Sequence, residues 1–152
     1  MKQVWWKVPV YCIAAGFISF QLMVHLLGRF TIVTLPDGSI STDQTRWLIL
    51  SGVIFVFTVG IGGFFFRKMT RREIFCSATI LVLCNIVFGL LSFKSNHILT
   101  LLLMYWMEAN EWSSFIPQLL NLIQTNLYIS AVVTWFAPYL FIFFGKKERK
   151  ES

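Results

Sequence analysis

The sequence predicts an all-α integral membrane protein, a bundle of four transmembrane helices in a single domain covering residues 1–152, and three observations carry that prediction. Apolar residues make up 57% of the chain and charged residues 13%, whereas soluble domains sit near about 45–50% and about 25%. Four apolar runs of about 20 residues each match the length a helix needs to cross a hydrocarbon core. Basic residues gather at alternate ends of those runs, the pattern that orients polytopic membrane proteins.

The first run is Val8 to Leu27. Lys2 and Lys7 resemble the basic start of a signal peptide, but the run is long and Gly28-Arg29-Phe30 offers no small-x-small cleavage site, so it reads as a retained helix. The 29–46 loop is polar and external. Within it, β-rich Thr31-Ile32-Val33-Thr34, the turn residues Pro36-Asp37-Gly38 and then Ser39-Ile40-Ser41 read as a short β-hairpin. The second run, Trp47 to Phe66, ends at the basic loop Arg67-Lys68-Met69-Thr70-Arg71-Arg72. The third run is Ile74 to Phe93 and the fourth Thr125 to Phe144, where Pro138 should kink the helix.

Segment 98–123 lies between the third and fourth runs. Ile98 to Met107 is apolar, but Glu108, Asn110 and Glu111 interrupt it. A carboxylate at a bilayer centre costs about 2.5–3.5 kcal/mol on insertion scales, so two make a fifth span poor. The segment is therefore expected on the outer face, as one or two interfacial helices or a re-entrant segment. Tyr105, Trp106 and Trp112 suit the headgroup region.

Orientation follows from the basic residues. Lys2, Lys7, Arg67, Lys68, Arg71, Arg72, Lys146, Lys147, Arg149 and Lys150 fall on one side, and only Arg29, Arg46 and Lys94 on the other. The first side is then cytoplasmic, both termini with it, and the span count is even. The basic loop and tail would also draw anionic lipid headgroups, at roughly 1 kcal/mol per basic residue. The expected location is a cell membrane, and the lack of a transit pattern or glycosylation sequon points to a bacterial one.

Several function classes are disfavoured. The net charge of +6 sits in short clusters beside apolar runs rather than on a polar domain, so nucleic acid is not an expected partner. Cys12, Cys76 and Cys84 all lie in apolar runs and form no C-x-x-C pair, which speaks against a disulfide or zinc site. No Ser-His-Asp set, H-E-x-x-H or Cys-His cluster occurs, so no metal or cofactor is expected. No carboxylate lies deep in any run, which lowers the expectation of proton-coupled transport.

Two kinds of residue stand out on the predicted helices. Gly52, Val56, Gly60 and Gly63 share one stripe of the second run, and Gly89 sits on the third with Ala78, Asn85 and Ser92. Small residues let helices approach closely, so Gly52, Gly60, Gly63 and Gly89 are candidate packing positions. Gly60-Ile61-Gly62-Gly63 is no phosphate loop, since it lacks a strand-to-helix context and a following Lys-Ser/Thr. The polar residues are Gln21 and His25 on the first run, Asn85 on the third, and Ser130 and Thr134 on the fourth. Counted by depth they fall in the middle or outer half, where they could converge on a polar pocket between spans one, three and four.

The leading expectation is a non-enzymatic accessory, sensory or immunity-type membrane subunit, acting through helix packing with a second copy or another membrane protein. The alternative is a small transporter or channel subunit using the polar pocket. A further alternative is an interfacial enzyme using segment 98–123, with Glu108 and Glu111 three residues apart on one helix face.

Overall fold

The computed structural model describes residues 5–92 and 97–147; the sequence-predicted positions of Lys2, Phe93, Lys94, Arg149 and Lys150 lie outside them. Helix α1 (Lys7–Gln21) runs on through a π-helical stretch, Leu22–Leu27, and a 3-10 turn, Gly28–Thr31. Strands β1 (Ile32–Thr34) and β2 (Ile40–Thr42) pair antiparallel, with Val33 opposite Ser41. Then come α2 (Gln44–Phe66), α3 (Arg71–Ser92), α4 (His97–Ala109), a 3-10 turn at Glu111–Ser113, α5 (Phe115–Leu122), α6 (Leu127–Trp135) and a 3-10 helix, Ala137–Phe144.

Three helical stretches are long and apolar enough to cross a membrane: Lys7–Thr31, Gln44–Phe66 and Arg71–Leu91. The chain is also apolar outside, and several polar side chains are buried within its core. On α2, Val56, Phe57 and Phe64 are 68, 66 and 62% exposed, while Ser77 and Ser130 are fully buried and Asn85 is 4% exposed. A water-soluble fold does not present such a surface; lipid is the solvent it suits.

Local chemistry sets the helix ends. Asp43 caps α2, its Oδ1 accepting from the backbone N–H groups of Thr45 and Arg46 at 2.9 and 3.2 Å. Thr70 and Glu73 form a capping box before α3: the Thr70 N–H donates to Glu73 Oε2 at 2.8 Å, and the Glu73 N–H to Thr70 Oγ1 at 3.3 Å. After α6 the α-helix stops, because Pro138 offers no N–H and its ring crowds the carbonyl one turn back. The backbone continues with shorter bonds, Phe136 N–H to Val133 O and Tyr139 N–H to Phe136 O. Residues 127–144 are therefore a broken element rather than one long helix.

One end of the bundle gathers three distant parts of the chain. Ser77 Oγ accepts from the Val8 N–H at 3.1 Å and donates to Trp5 O at 2.7 Å. Lys146 bridges to Thr70 in parallel: its N–H donates to Met69 O, and its carbonyl accepts from the Arg71 N–H. Just inside that end, Tyr11, Phe66 and Phe141 meet edge to face with centroids 5.1–5.6 Å apart. Gly62 leaves room there for the Phe141 and Tyr11 rings.

Segment 97–122 is not laid across the ends of the helices. Its turn penetrates the bundle, the Ala109 backbone resting on Gly16 in α1. Trp112, 1% exposed, stacks on Phe55 of α2 at 6.1 Å and leans on Phe141 at 5.7 Å. Trp112 is thus a core residue, where the sequence suggested a headgroup anchor, because the hairpin's own helices carry it to the aromatic cluster. Among the described residues its Nε1 is the one buried side-chain nitrogen or oxygen without a hydrogen-bond partner.

Candidate functional site

The break at Pro138 creates the site's first requirement. The Trp135 carbonyl faces Pro138 three residues on, which has no N–H, and the Tyr139 N–H is taken by Phe136 O. Asn85, one wall away on α3, supplies the missing donor: its Nδ2 reaches Trp135 O at 3.2 Å. The other half of the amide, Oδ1, accepts from the Trp106 indole Nε1 at 3.1 Å. Trp106 stacks on Phe88 with centroids 4.4 Å apart. One buried amide therefore joins α3 to both α4 and α6, at a cost-saving geometry for three polar groups that lipid could not satisfy.

Around this amide lies a cavity of about 340 Å³ between α3, α4 and α6, with Pro117 of α5 closing one side. Its size is at the small end of the range for ligand pockets. Asn85, Ser130 and Thr134 line it, so the structure brings together three of the five sequence-predicted polar residues. Gln21 and His25 do not reach it; both are exposed on the α1 stretch. Spacing placed those two on one ladder but could not fix the rotation of α1, whose Gly16 is turned inward to Ala109.

Every polar side chain on the cavity wall already serves its own chain. Asn110 Nδ2 donates to Trp106 O at 2.8 Å, Thr134 Oγ1 to Ser130 O at 2.8 Å, and Ser130 Oγ to Asn121 Oδ1 at 3.4 Å. What remains open to a ligand is mostly carbon: Phe88, Leu103, Met107, Pro117, Ala131 and Trp135. Sequence reasoning missed Trp106, Asn110 and Pro117, which enter only because the 97–122 hairpin folds inward.

The candidate packing glycines divide. Gly52 meets the Phe115 ring, Gly63 the Phe144 ring and Gly89 the Trp135 indole, so three of the four receive an aromatic from elsewhere in the chain. Gly60 has open space around it and packs on nothing among the described residues. Gly16 and Gly62, not singled out in the sequence, make closer approaches than Gly52 does.

Glu108 and Glu111 are both half-buried at the turn of the hairpin, and neither lines the α3/α4/α6 cavity. No group of three His, Cys, Asp or Glu side chains able to hold a metal occurs among the described residues. Compared with known families, curated proteins and solved structures, the chain matches none.

Proposed function

We propose that the chain is a four-pass membrane protein, both ends cytoplasmic, that binds the lipophilic part of a membrane-borne molecule in the cavity between α3, α4 and α6. The observation that carries the binding reading is the wall itself: each of its polar side chains bonds within the protein, leaving a mostly apolar hollow of about 340 Å³. Such a hollow in a membrane protein takes an acyl or isoprenoid chain in preference to a hydrated solute.

The four-pass topology is supported by the shared end of the bundle. Trp5, Met69 and Lys146 hydrogen-bond within one neighbourhood, so the chain returns to its starting side after α2 and again at its end. The fourth crossing is then the broken element 127–144, which spans about 30 Å at about 1.5 Å per α-helical and 2.0 Å per 3-10 residue. Segment 97–122 becomes a re-entrant hairpin, whose irregular turn is tolerated at depth because protein surrounds it. Tags on the two termini should report the same compartment; opposite compartments would refute the topology.

The binding reading is tested with cis-parinaric acid, a fluorescent acyl chain, added to the purified protein in detergent. Saturable binding is expected, lost in Ala131→Phe, which fills the cavity, and kept in Val132→Phe, whose position is exposed. Equal binding by both variants would refute it.

A second reading, association with another copy or another membrane subunit, is favoured by the open face at Gly60, flanked by exposed Val56, Phe57, Ile61 and Phe64. Gly60→Leu should then lower the assembled size on native-detergent sizing without lowering yield; an unchanged size counts against it.

A further inference from the structure

At the end of the bundle opposite Lys146, α2 begins and α5 ends, and between them lies a second cleft of about 700 Å³. Its chemistry is unlike that of the first. Gln44, Thr45, Trp47, Gln118, Asn121 and Gln124 line it, with no charged side chain among the lining residues. That is unusual in a chain of net charge +6, and Arg46, between the lining residues Thr45 and Trp47, pairs through Nε with Asp43 Oδ2 at 3.2 Å.

The carboxamides are placed to meet a guest. Gln118 is held by Ser51, whose Oγ lies 3.0 Å from Gln118 Oε1, and Asn121 Oδ1 accepts from Ser130. With their oxygens engaged inside the protein, both present NH2 groups that have no acceptor among the described residues. Among the described residues, Gln44 and Gln124 make no side-chain hydrogen bond there either. Gln124 is held at φ 56°, the one non-glycine in the left-handed region among the described residues, a conformation that costs free energy and is held by its surroundings.

Amides and hydroxyls both donate and accept, the match for adjacent hydroxyl groups, and the half-buried indole of Trp47 offers a flat apolar face beside them. A phosphate or carboxylate would call for Arg or Lys, which the lining lacks. We propose that this cleft is a binding site for an uncharged hexopyranose, its hydroxyls bonded by Gln44, Gln118, Asn121 and Gln124 and one ring face packed on Trp47. The same chemistry is presented by a glycolipid headgroup and by a free oligosaccharide. The proposal does not rest on the apolar cavity or on the topology.

The test uses full-length protein with 5-fluorotryptophan in phosphatidylglycerol nanodiscs, where both faces are accessible, so an error in topology leaves the result intact. The Trp47 fluorine resonance, identified from Trp47→Phe, is followed while maltose is titrated, or while monoglucosyldiacylglycerol replaces part of the phosphatidylglycerol. A saturable shift with maltose supports a free-sugar ligand; a shift with the glycolipid alone supports a headgroup ligand. Gln44→Leu and Asn121→Leu, both at exposed positions, should each weaken binding about tenfold, the loss of about one hydrogen bond to a neutral partner. No saturable shift with either probe, or unchanged affinity in both variants, would overturn the proposal.

Discussion

The main-chain carbonyl of Ala109 occupies the space a side chain on Gly16 would need. The contact is backbone to backbone, so no flexible neighbour can give way. Gly16→Ala should therefore force α1 and the hairpin turn apart, and a destabilisation of at least about 1–3 kcal/mol is expected. The same change at Gly60, which has nothing nearby among the described residues, should be neutral or stabilising by up to about 1 kcal/mol, because alanine is the better helix former. Thermal unfolding of both variants as monomers in detergent checks the contrast. Equal behaviour would mean that the hairpin does not pack on α1.

The membrane character of the chain was legible from length and hydropathy alone, since α1, α2 and α3 need only enough apolar residues to span a bilayer. The inward hairpin was not. Insertion scales price Glu108 and Glu111 as though they faced lipid, whereas both are half-buried within the protein. The partner of that hairpin, Gly16, carries a faint signal in Ala14-Ala15-Gly16, and the Thr70-x-x-Glu73 capping box was readable from spacing. Asn85, Ser130 and Thr134 share a cavity because α3 and α6 lie against each other there. His25 and Gln21 do not join them, since helical spacing gives a common face but not the direction it points.

Replacing Asn85 removes two bonds at once. Asn85→Leu strips the acceptor from the Trp106 indole and the donor from the Trp135 carbonyl. Each orphaned buried group costs about 1–3 kcal/mol, although interhelical bonds in membranes average about 0.6 kcal/mol. A net loss of about 1–3 kcal/mol is expected, with the share due to the indole recovered when Trp106→Phe is added, because the indole no longer needs its acceptor, while the Trp135 carbonyl stays unpaired. A double-mutant cycle measures this; strict additivity would show that the two residues do not interact.

Asp37 sets a pH dependence outside the membrane. Its Oδ1 accepts from the Ser39 N–H at 3.0 Å and the Ser39 hydroxyl at 2.7 Å, and the two bonds hold its carboxyl below the usual carboxylate range. A lowered value means the turn gains from the charged form. That contribution is fully present above the ordinary carboxylate range and disappears as pH falls through the folded-state value. The Ser39 amide resonance should therefore move below the ordinary carboxylate range, and Asp37→Ala should abolish the transition. A transition at or above the ordinary carboxylate range would contradict the turn geometry.

Trp112 tests what the core of the hairpin asks of its largest side chain. The indole stacks on Phe55 and touches Phe141, so its ring area contributes, while its buried Nε1–H finds no acceptor among the described residues. These two effects oppose one another and can be separated by size and polarity. Trp112→Ala removes the ring and should cost about 3–5 kcal/mol. Trp112→Phe keeps an aromatic against Phe55 and deletes the orphaned donor, so loss of volume and relief of desolvation offset each other, and the change should stay within about 1.5 kcal/mol. Chemical unfolding of both variants in detergent gives the two values. A Phe variant as damaged as the Ala variant would show that the Nε1–H has a partner after all, such as a buried water deep in the bundle.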